Sequence, residues 1–452
     1  MDSPFLQHIG DLFSKLKGRN LIIAAVIWGI LLLVALACVF GLIKLPGSPA
    51  TKAPANPTAT LPAPQPTATQ EGFITLPTPT PQNDTQAASP YPPLPWGDFG
   101  YGIAAHAISM PDYTLNQIAH QLGFTWVKQQ VRWDHFSPGP GQMDWSGYDV
   151  MVEFANERNL KVMMSVVGAP EWTRTYFDAN PEAAPPDDIT LFTNFLGEMV
   201  DRYKGKIHAI EVWNEQNLDR EWDTAQGVNA ASYVEMLRLS YQAIKSRDPN
   251  IIVISGALSP TGASATDPTN PNRVIYVDDF VYFQQMIDAG FLNYADCVGA
   301  HHNGINMPPD VAWDEGYNNP NAKFRGSFDN PDHSWSFKST LWGYHEMIQK
   351  AGFNKPLCVT EFGWATAEGF DATPPGFEFA DDNTLEDQAR WNVQAFQLMR
   401  EWGFVHLAFL WNLDYSYKGP GPTDPNAPYS ILDMQGAARP AYGALGEMPK
   451  FP

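Results

Sequence analysis

The chain has 452 residues, of which 44% are hydrophobic and 13% aromatic, so it can bury a large core. Its formal net charge is -21, and the sequence contains no stripe of basic residues. This argues against nucleic acid and anionic polymers as partners and favours a neutral ligand. There are three cysteines, Cys38, Cys297 and Cys358. Because Cys38 lies in an apolar run, we expect no disulfide framework, with Cys297 and Cys358 packing in buried strands.

The N-terminal region contains an uncharged apolar run at residues 21–43. As a helix, this run is long enough to cross the roughly 30 Å hydrocarbon core of a bilayer. Lys15, Lys17 and Arg19 precede it, so the positive-inside rule places residues 1–20 in the cytoplasm. The sequence thus predicts a single-pass anchor in the cell membrane, with the rest of the chain extracytoplasmic. A cleaved signal peptide ending at Ala37, or a lipoprotein acylated at Cys38, is the alternative.

Residues 44–95 are rich in Pro, Thr and Ala and poor in large apolar side chains. Such a composition cannot bury enough surface to fold, and proline favours extended polyproline II. We therefore predict a disordered stalk between the membrane helix and the folded part of the chain.

Residues 96–452 alternate short apolar β-rich runs with amphipathic helical stretches, a pattern typical of repeated βα units around a parallel sheet. The predicted strands are Gly102 to Ala105, Trp126 to Val131, Lys161 to Val166, Ala209 to Trp213, Ile251 to Ser255, Cys297 to His301, Leu357 to Glu361 and His406 to Trp411. Eight strands, each followed by a helix candidate, predict an α/β fold of the (β/α)8 TIM-barrel type. A doubly wound open sheet is the alternative, but no Gly-rich turn follows the first strand.

Polar residues at the carboxyl ends of barrel strands form the active site in enzymes with this fold. Glu215 follows the fourth predicted strand, and Glu361 ends the seventh. Either glutamate alone could cap a helix or join a surface ion pair. Together, at one mouth of a barrel, they are the two carboxylates that acetal hydrolysis requires, and that chemistry needs no metal and no cofactor.

The segments Trp213-Asn214-Glu215-Gln216-Asn217 and Thr360-Glu361-Phe362-Gly363-Trp364 resemble the strand-four and strand-seven motifs of glycoside hydrolase clan A. The stretch from Tyr233 to Ser259 looks closest to family 39 and related bacterial exopolysaccharide-cleaving enzymes. The resemblance implies that Glu215 is the acid/base, Glu361 is the nucleophile, and Asn214 binds the 2-hydroxyl of the sugar.

The same resemblance implies supporting roles for other residues at the strand ends. Arg132 matches an arginine that stabilises the charge of the nucleophile, His301 matches the strand-six histidine, and Trp411 matches the aromatic floor beneath the cleaved sugar. Asn303 departs from the pattern, because family 39 usually has a tyrosine there. We therefore expect another donor to the nucleophile, from His302 or from a loop tyrosine.

Tryptophan rings suit sugar rings, so we expect Trp213 and Trp364 to contact substrate as well, with core packing as the alternative. The favoured interpretation is a retaining β-glycosidase that acts on an extracellular poly- or oligosaccharide, with about 5 to 5.5 Å between its two carboxyl groups. A carbohydrate-binding protein without turnover and a transglycosidase that uses the same two carboxylates are the alternatives. Sequence alone does not separate them.

Overall fold

A computed structural model of the chain describes Leu94, Gly97, residues 99–176 and residues 183–451. The predicted membrane helix at 21–43 lies outside the described residues, as does nearly all of the predicted stalk at 44–95. Across the described ranges, every helix is too short or too polar to cross a membrane.

Eight parallel strands form the central sheet. In chain order its strands are Gly100–Ala104 (β1), Trp126–Arg132 (β2), Lys161–Val167 (β3), Ala209–Val212 (β4), Ile252–Ser255 (β5), Val298–Gly304 (β8), Leu357–Trp364 (β9) and Val405–Leu410 (β10). Between β5 and β8, a separate antiparallel hairpin consists of Ala265–Thr266 (β6) and Val274–Tyr276 (β7). The sheet order is β5-β4-β3-β2-β1-β10-β9-β8. A parallel bridge between Ile254 and Cys297 joins its two ends. The predicted barrel is confirmed, whereas the β6–β7 hairpin was not anticipated.

Helices follow the strands and cover the outside of the sheet. They are Pro111–Asn116 (α1), Trp133–Phe136 (α2), Ser146–Glu157 (α3), Ile189–Arg202 (α4), Ala230–Lys245 (α5), Asp279–Asp288 (α6), Gly326–Asp329 (α7), Phe337–Lys350 (α8), Leu385–Trp402 (α9), Tyr415–Lys418 (α10) and Pro440–Glu447 (α11). Helix α4 shows why they pack. It begins after Asp188, whose side chain accepts from the Thr190 amide, and buries Phe192, Leu196 and Met199 at helical spacing.

The barrel interior is built in layers, because alternate side chains of each strand point inward. One layer is apolar and includes Trp126, Met163 and Phe409. Two residues further along β2, Lys128 occupies a polar layer. Where β8 meets β5, there is no room for a side chain at Gly299, because a Cβ there would lie 2.0 Å from the carbonyl oxygen of Ser255.

A disulfide joins Cys297 and Cys358, with 5.8 Å between their Cα atoms. The expectation that both residues serve only as packing residues is therefore wrong. They lie 61 residues apart in sequence, but both stand beside the apolar layer at the amino-terminal ends of β8 and β9, which are neighbours in the sheet. This adjacency depends on strand order and is invisible in the spacing of the cysteines.

Candidate active site

Glu215 reaches the mouth of the barrel through a sharp backbone turn after β4. Trp213 has a φ of 77° and Glu215 a φ of 42°, both in the left-handed region that non-glycine residues rarely adopt. The turn directs the Trp213 side chain outward, where its indole nitrogen donates to the Glu221 carbonyl at 2.8 Å and its ring packs against Phe192. Trp213 is fully buried, so the substrate contact expected of it is replaced by core packing.

Glu361 lies in β9, and its carboxylate faces one donor from the neighbouring strand β8 and one from β2, which is not adjacent to β9. Lys128 Nζ is 2.9 Å from Glu361 Oε1, and Asn303 Nδ2 donates to Oε2 at 3.4 Å. His301 Nδ1 is 3.7 Å from the same Oε2. The negative charge of Glu361 is thus compensated by a cation, and the side chain is only 7% exposed.

His301 stands between the two glutamates. Its Nδ1 is 3.2 Å from Glu215 Oε1, and each glutamate turns one oxygen to within 4.8 Å of the other and of the imidazole. Burial lowers the pKa of His301, but the surrounding carboxylates, Glu361 foremost, outweigh burial and raise it overall. His301 thus lies within reach of both carboxylates, and their charges favour its protonated form.

Lys128 is the centre of a buried charge network that the sequence interpretation missed. Its Nζ contacts Glu361, lies 3.4 Å from Glu211 Oε2 and donates to the Thr360 carbonyl at 3.1 Å. The Thr360 hydroxyl in turn donates to Glu211 Oε1 at 2.6 Å. Burial opposes the charges of both Lys128 and Glu211, yet their mutual attraction prevails, raising the pKa of Lys128 and lowering that of Glu211. A lysine inside the otherwise uncharged strand run Trp126-Val127-Lys128 was the available signal.

Arg132 does not take the position expected of it. It ends β2, and its Nη2 pairs with Asp134 Oδ2 at 3.0 Å at the rim of the barrel. Lys128, four residues earlier on the same strand, provides the cation beside Glu361 instead. The difference follows from strand geometry, because a side chain inside the barrel can reach a carboxylate on a non-adjacent strand, whereas one at the strand end faces the loops.

The remaining predicted tryptophans have different surroundings. Trp364 is fully buried, its indole nitrogen donates to the Met307 carbonyl at 2.7 Å, and its ring packs against Phe337, so its predicted substrate contact is also replaced by packing. Trp411 lies near the buried lysine, with Lys128 Nζ 5.7 Å from its ring centroid, and its ring centroid is 4.6 Å from that of Tyr415. Of the three tryptophans, Trp411 is the one beside the lysine that contacts Glu361.

Asn214 and the residues after His301 complete the mouth. Asn214 is nearly buried, and its Oδ1 has no hydrogen-bond partner among the residues described. His302 turns away from the site and contacts the Ser334 carbonyl through Nε2 at 3.2 Å. The expectation that His302 replaces Asn303 as a donor to Glu361 is wrong, because Asn303 itself is one donor and Lys128 is the other.

Arg220, in the loop after β4, is a second cation that the sequence interpretation missed. Its Nη2 lies 3.0 Å from Glu215 Oε2. Burial raises the pKa of Glu215, but the hydrogen bond from His301 and the charge of Arg220 outweigh burial and lower it to about 2. Each glutamate of the pair therefore has its own cationic partner.

Glu215, His301 and Glu361 are close enough to share a metal ion. The charges around them oppose this, because Lys128 contacts Glu361 and Arg220 contacts Glu215. A cation placed between the carboxylates would be repelled by both partners and would have to displace His301 from Glu215. The arrangement is better suited to proton transfer and nucleophilic attack than to metal binding.

Comparison with known proteins agrees with this geometry. The family model described as glycosyl hydrolase family 10 matches residues 97–254, which run from the start of β1 into β5 and include Asn214 and Glu215. The resemblance to the clan A glycoside hydrolases is confirmed. The matched residues carry one of the two carboxylates of the pair.

Solved structures share the fold at low sequence identity. A family 39 glycoside hydrolase from Bacteroides cellulosilyticus WH2 is 16% identical, with a TM-score of 0.52 over 77% of this chain and 62% of its own. A monomeric beta-xylosidase from Caulobacter crescentus CB15 is 18% identical, with a TM-score of 0.52 over 77% and 67%. An exo-beta-1,4-mannosidase from Opitutaceae bacterium strain TAV5 is 16% identical, with a TM-score of 0.51 over 80% and 61%. The chain thus spans less than two thirds of two of these proteins, and the likeness concerns the fold alone.

Proposed function

We propose that the chain is a retaining β-glycosidase that hydrolyses an extracellular poly- or oligosaccharide. The observation that carries the proposal is the approach of the Glu215 and Glu361 carboxylates, with one oxygen of each within 4.8 Å of the other. Retaining glycosidases hold their carboxyl groups about 5 to 5.5 Å apart, whereas inverting enzymes leave space for a water molecule between sugar and carboxylate.

Each carboxylate is assigned a role by its surroundings. Glu361 is the nucleophile, because a buried lysine contacts it and Asn303 orients its second oxygen. It attacks the anomeric carbon while Glu215 protonates the departing oxygen, and a glycosyl-enzyme bond forms. Glu215 then removes a proton from water, which attacks the anomeric carbon and releases Glu361. The steps use only side chains of this protein, and two inversions leave the product in the β configuration.

The sugar-binding contacts follow from the same geometry. Trp411 lies beside Lys128, which contacts Glu361, and serves as the floor of the cleavage position. The unpartnered Oδ1 of Asn214 accepts a hydrogen bond from the sugar 2-hydroxyl. The names of two structural neighbours, a beta-xylosidase and an exo-beta-1,4-mannosidase, suggest β-linked xylose or mannose polymers as first candidates.

An extracytoplasmic location fits these assignments. The Cys297–Cys358 disulfide is characteristic of proteins that fold in oxidising compartments. In this proposal the apolar run at 21–43 is a membrane anchor, and residues 44–95 hold the barrel away from the bilayer.

Incubation of the full-length protein with a panel of β-linked polysaccharides, including xylan and mannan, tests the proposal. New reducing ends are expected with at least one polymer, and none with the double variant E215Q/E361Q. Binding to a polymer without cleavage would support the carbohydrate-binding alternative, whose main argument was Asn303. That argument is weakened because Asn303 donates to Glu361. Products longer than the starting oligosaccharide would indicate a transglycosidase.

A further inference from the structure

Both oxygens of the Glu215 carboxylate are engaged by donors. His301 Nδ1 lies 3.2 Å from Oε1, and Arg220 Nη2 lies 3.0 Å from Oε2. A general acid must carry its proton on one carboxyl oxygen and direct that proton at the leaving group. Each carboxylate oxygen keeps a second lone pair for a proton, but the two donors together stabilise the ionised form and so oppose protonation of Glu215. Withdrawal of one donor makes that protonation easier.

The two donors differ in how firmly they are held. His301 is fully buried in β8, between Glu215 and Glu361. Arg220 belongs to the loop between β4 and α5, and its side chain is 51% exposed. Moving His301 would disrupt the barrel interior, whereas the guanidinium group of Arg220 already borders solvent. Arg220 is therefore the donor that a bound ligand can reach and move more easily.

We propose that Arg220 is a positioning residue that keeps Glu215 ionised in the empty cleft and releases it when the leaving-group sugar binds. The inference rests on the proposed function, in which Glu215 protonates the departing oxygen. Because Arg220 contacts that same carboxylate, it stands beside the position of the leaving group. Sugar hydroxyls accept hydrogen bonds from guanidinium and replace the Glu215 oxygen as its partner. Glu215 Oε2 then takes up one proton from solvent and passes it to the glycosidic oxygen.

The other charged groups near Glu215 stay in place when Arg220 withdraws. His301 remains at Oε1, Glu361 lies on the far side of His301, and Tyr429 approaches from the segment after β10. Glu211 and Lys128 compensate each other in the layer beneath. Burial favours the neutral form of Glu215, and the contacts of His301 and Arg220 outweigh it, so removing Arg220 must raise its pKa from the present value of about 2.

The pH dependence of cleavage tests this inference directly. In the free protein, the basic limb of kcat/KM reports loss of the proton from the general acid. For an unactivated oligosaccharide, Arg220→Gln is expected to move that limb upward by about one pH unit or more, because the carboxyl group stays protonated to higher pH. Arg220→Lys keeps the cation and should retain the original limb. Arg238→Gln, which removes a partly exposed arginine paired with Glu235 on α5, is the matched control and should change neither limb.

The kcat profile separates displacement from a permanent contact. If bound sugar has already removed Arg220, the basic limb of kcat should be the same in the wild-type protein and in Arg220→Gln. An equal upward movement of both limbs would overturn displacement, and no movement of the kcat/KM limb would overturn the whole inference. Glu215→Gln with undiminished cleavage of the same oligosaccharide would instead contradict the proposed function, so the two failures are distinguishable.

Discussion

The two glutamates of the site each face a cation, but the two cations are held differently. Lys128 is completely buried and shared between Glu361 and Glu211, whereas Arg220 is half-exposed and contacts Glu215 from a loop. A buried ion pair is only weakly screened and cannot be exchanged for water, whereas an exposed pair can. The comparison shows that a buried cation holds the proposed nucleophile in place, whereas an exposed cation leaves the proposed acid/base within reach of a ligand.

The largest expected effect is that of Glu361→Ala, which removes the proposed nucleophile. We expect kcat to fall by roughly four orders of magnitude or more for every substrate, whatever its leaving group, because the covalent step loses its attacking group. Hydrolysis of both an oligosaccharide and a dinitrophenyl glycoside should be measured. Glu346→Gln, on the exposed face of α8, is the control. Substantial activity in Glu361→Ala would contradict the assignment of Glu361 as the nucleophile.

Glu215→Ala should lose activity selectively. Oligosaccharide cleavage is expected to fall by about 10²- to 10⁴-fold, since the leaving oxygen is no longer protonated. A dinitrophenyl glycoside, whose leaving group needs no proton, should still form the glycosyl-enzyme, and added azide should then yield a β-glycosyl azide. Equal losses on both substrates without azide rescue would contradict the assignment of Glu215 as acid/base.

Lys128→Met sharpens the contrast between the buried cation and the exposed one. It leaves Glu211 and Glu361 without their shared partner, and removal of one member of a buried ion pair costs about 3 to 5 kcal/mol. Chemical denaturation should show this loss of stability, and activity should fall as well. The double variant K128M/E211Q should recover part of the stability but not the activity, because Glu361 still lacks its cation. Arg220→Gln, by contrast, should leave the stability nearly unchanged. An equal loss of stability in Lys128→Met and Arg220→Gln would contradict the distinction between the buried and the exposed cation.

Loss of the disulfide is expected to have a smaller effect, on stability alone. Replacing Cys297 and Cys358 with serine should lower the free energy of unfolding by about 2 to 4 kcal/mol, because the bond closes a loop spanning 61 residues of sequence separation. The cysteines lie among the apolar residues of the barrel interior, so activity per folded molecule should remain. Denaturation curves of the wild-type protein with and without reductant should reproduce the difference. An unchanged midpoint would show that the bond is dispensable.

Sequence patterns predicted the barrel well because buried parallel strands are continuous apolar runs, and Glu215 and Glu361 were found because each follows or ends such a run. The predictions that failed depend on the direction of side chains and on contacts between residues distant in sequence. The left-handed backbone at Trp213 directs its ring outward, and the disulfide depends on the adjacency of β8 and β9. Arg132 lies four residues beyond Lys128 on the same strand, past the position from which a cation reaches Glu361. Arg220 gave no signal, because a charged loop residue is ordinarily a solvated one.

The stereochemistry of the first product tests the central claim most directly. Proton NMR of the sugar released from a β-linked substrate, recorded before the anomers equilibrate, should show the β anomer, as double displacement through Glu361 requires. An α anomer as the initial product would mean inversion by a water molecule and would contradict the assignment of Glu361 as nucleophile.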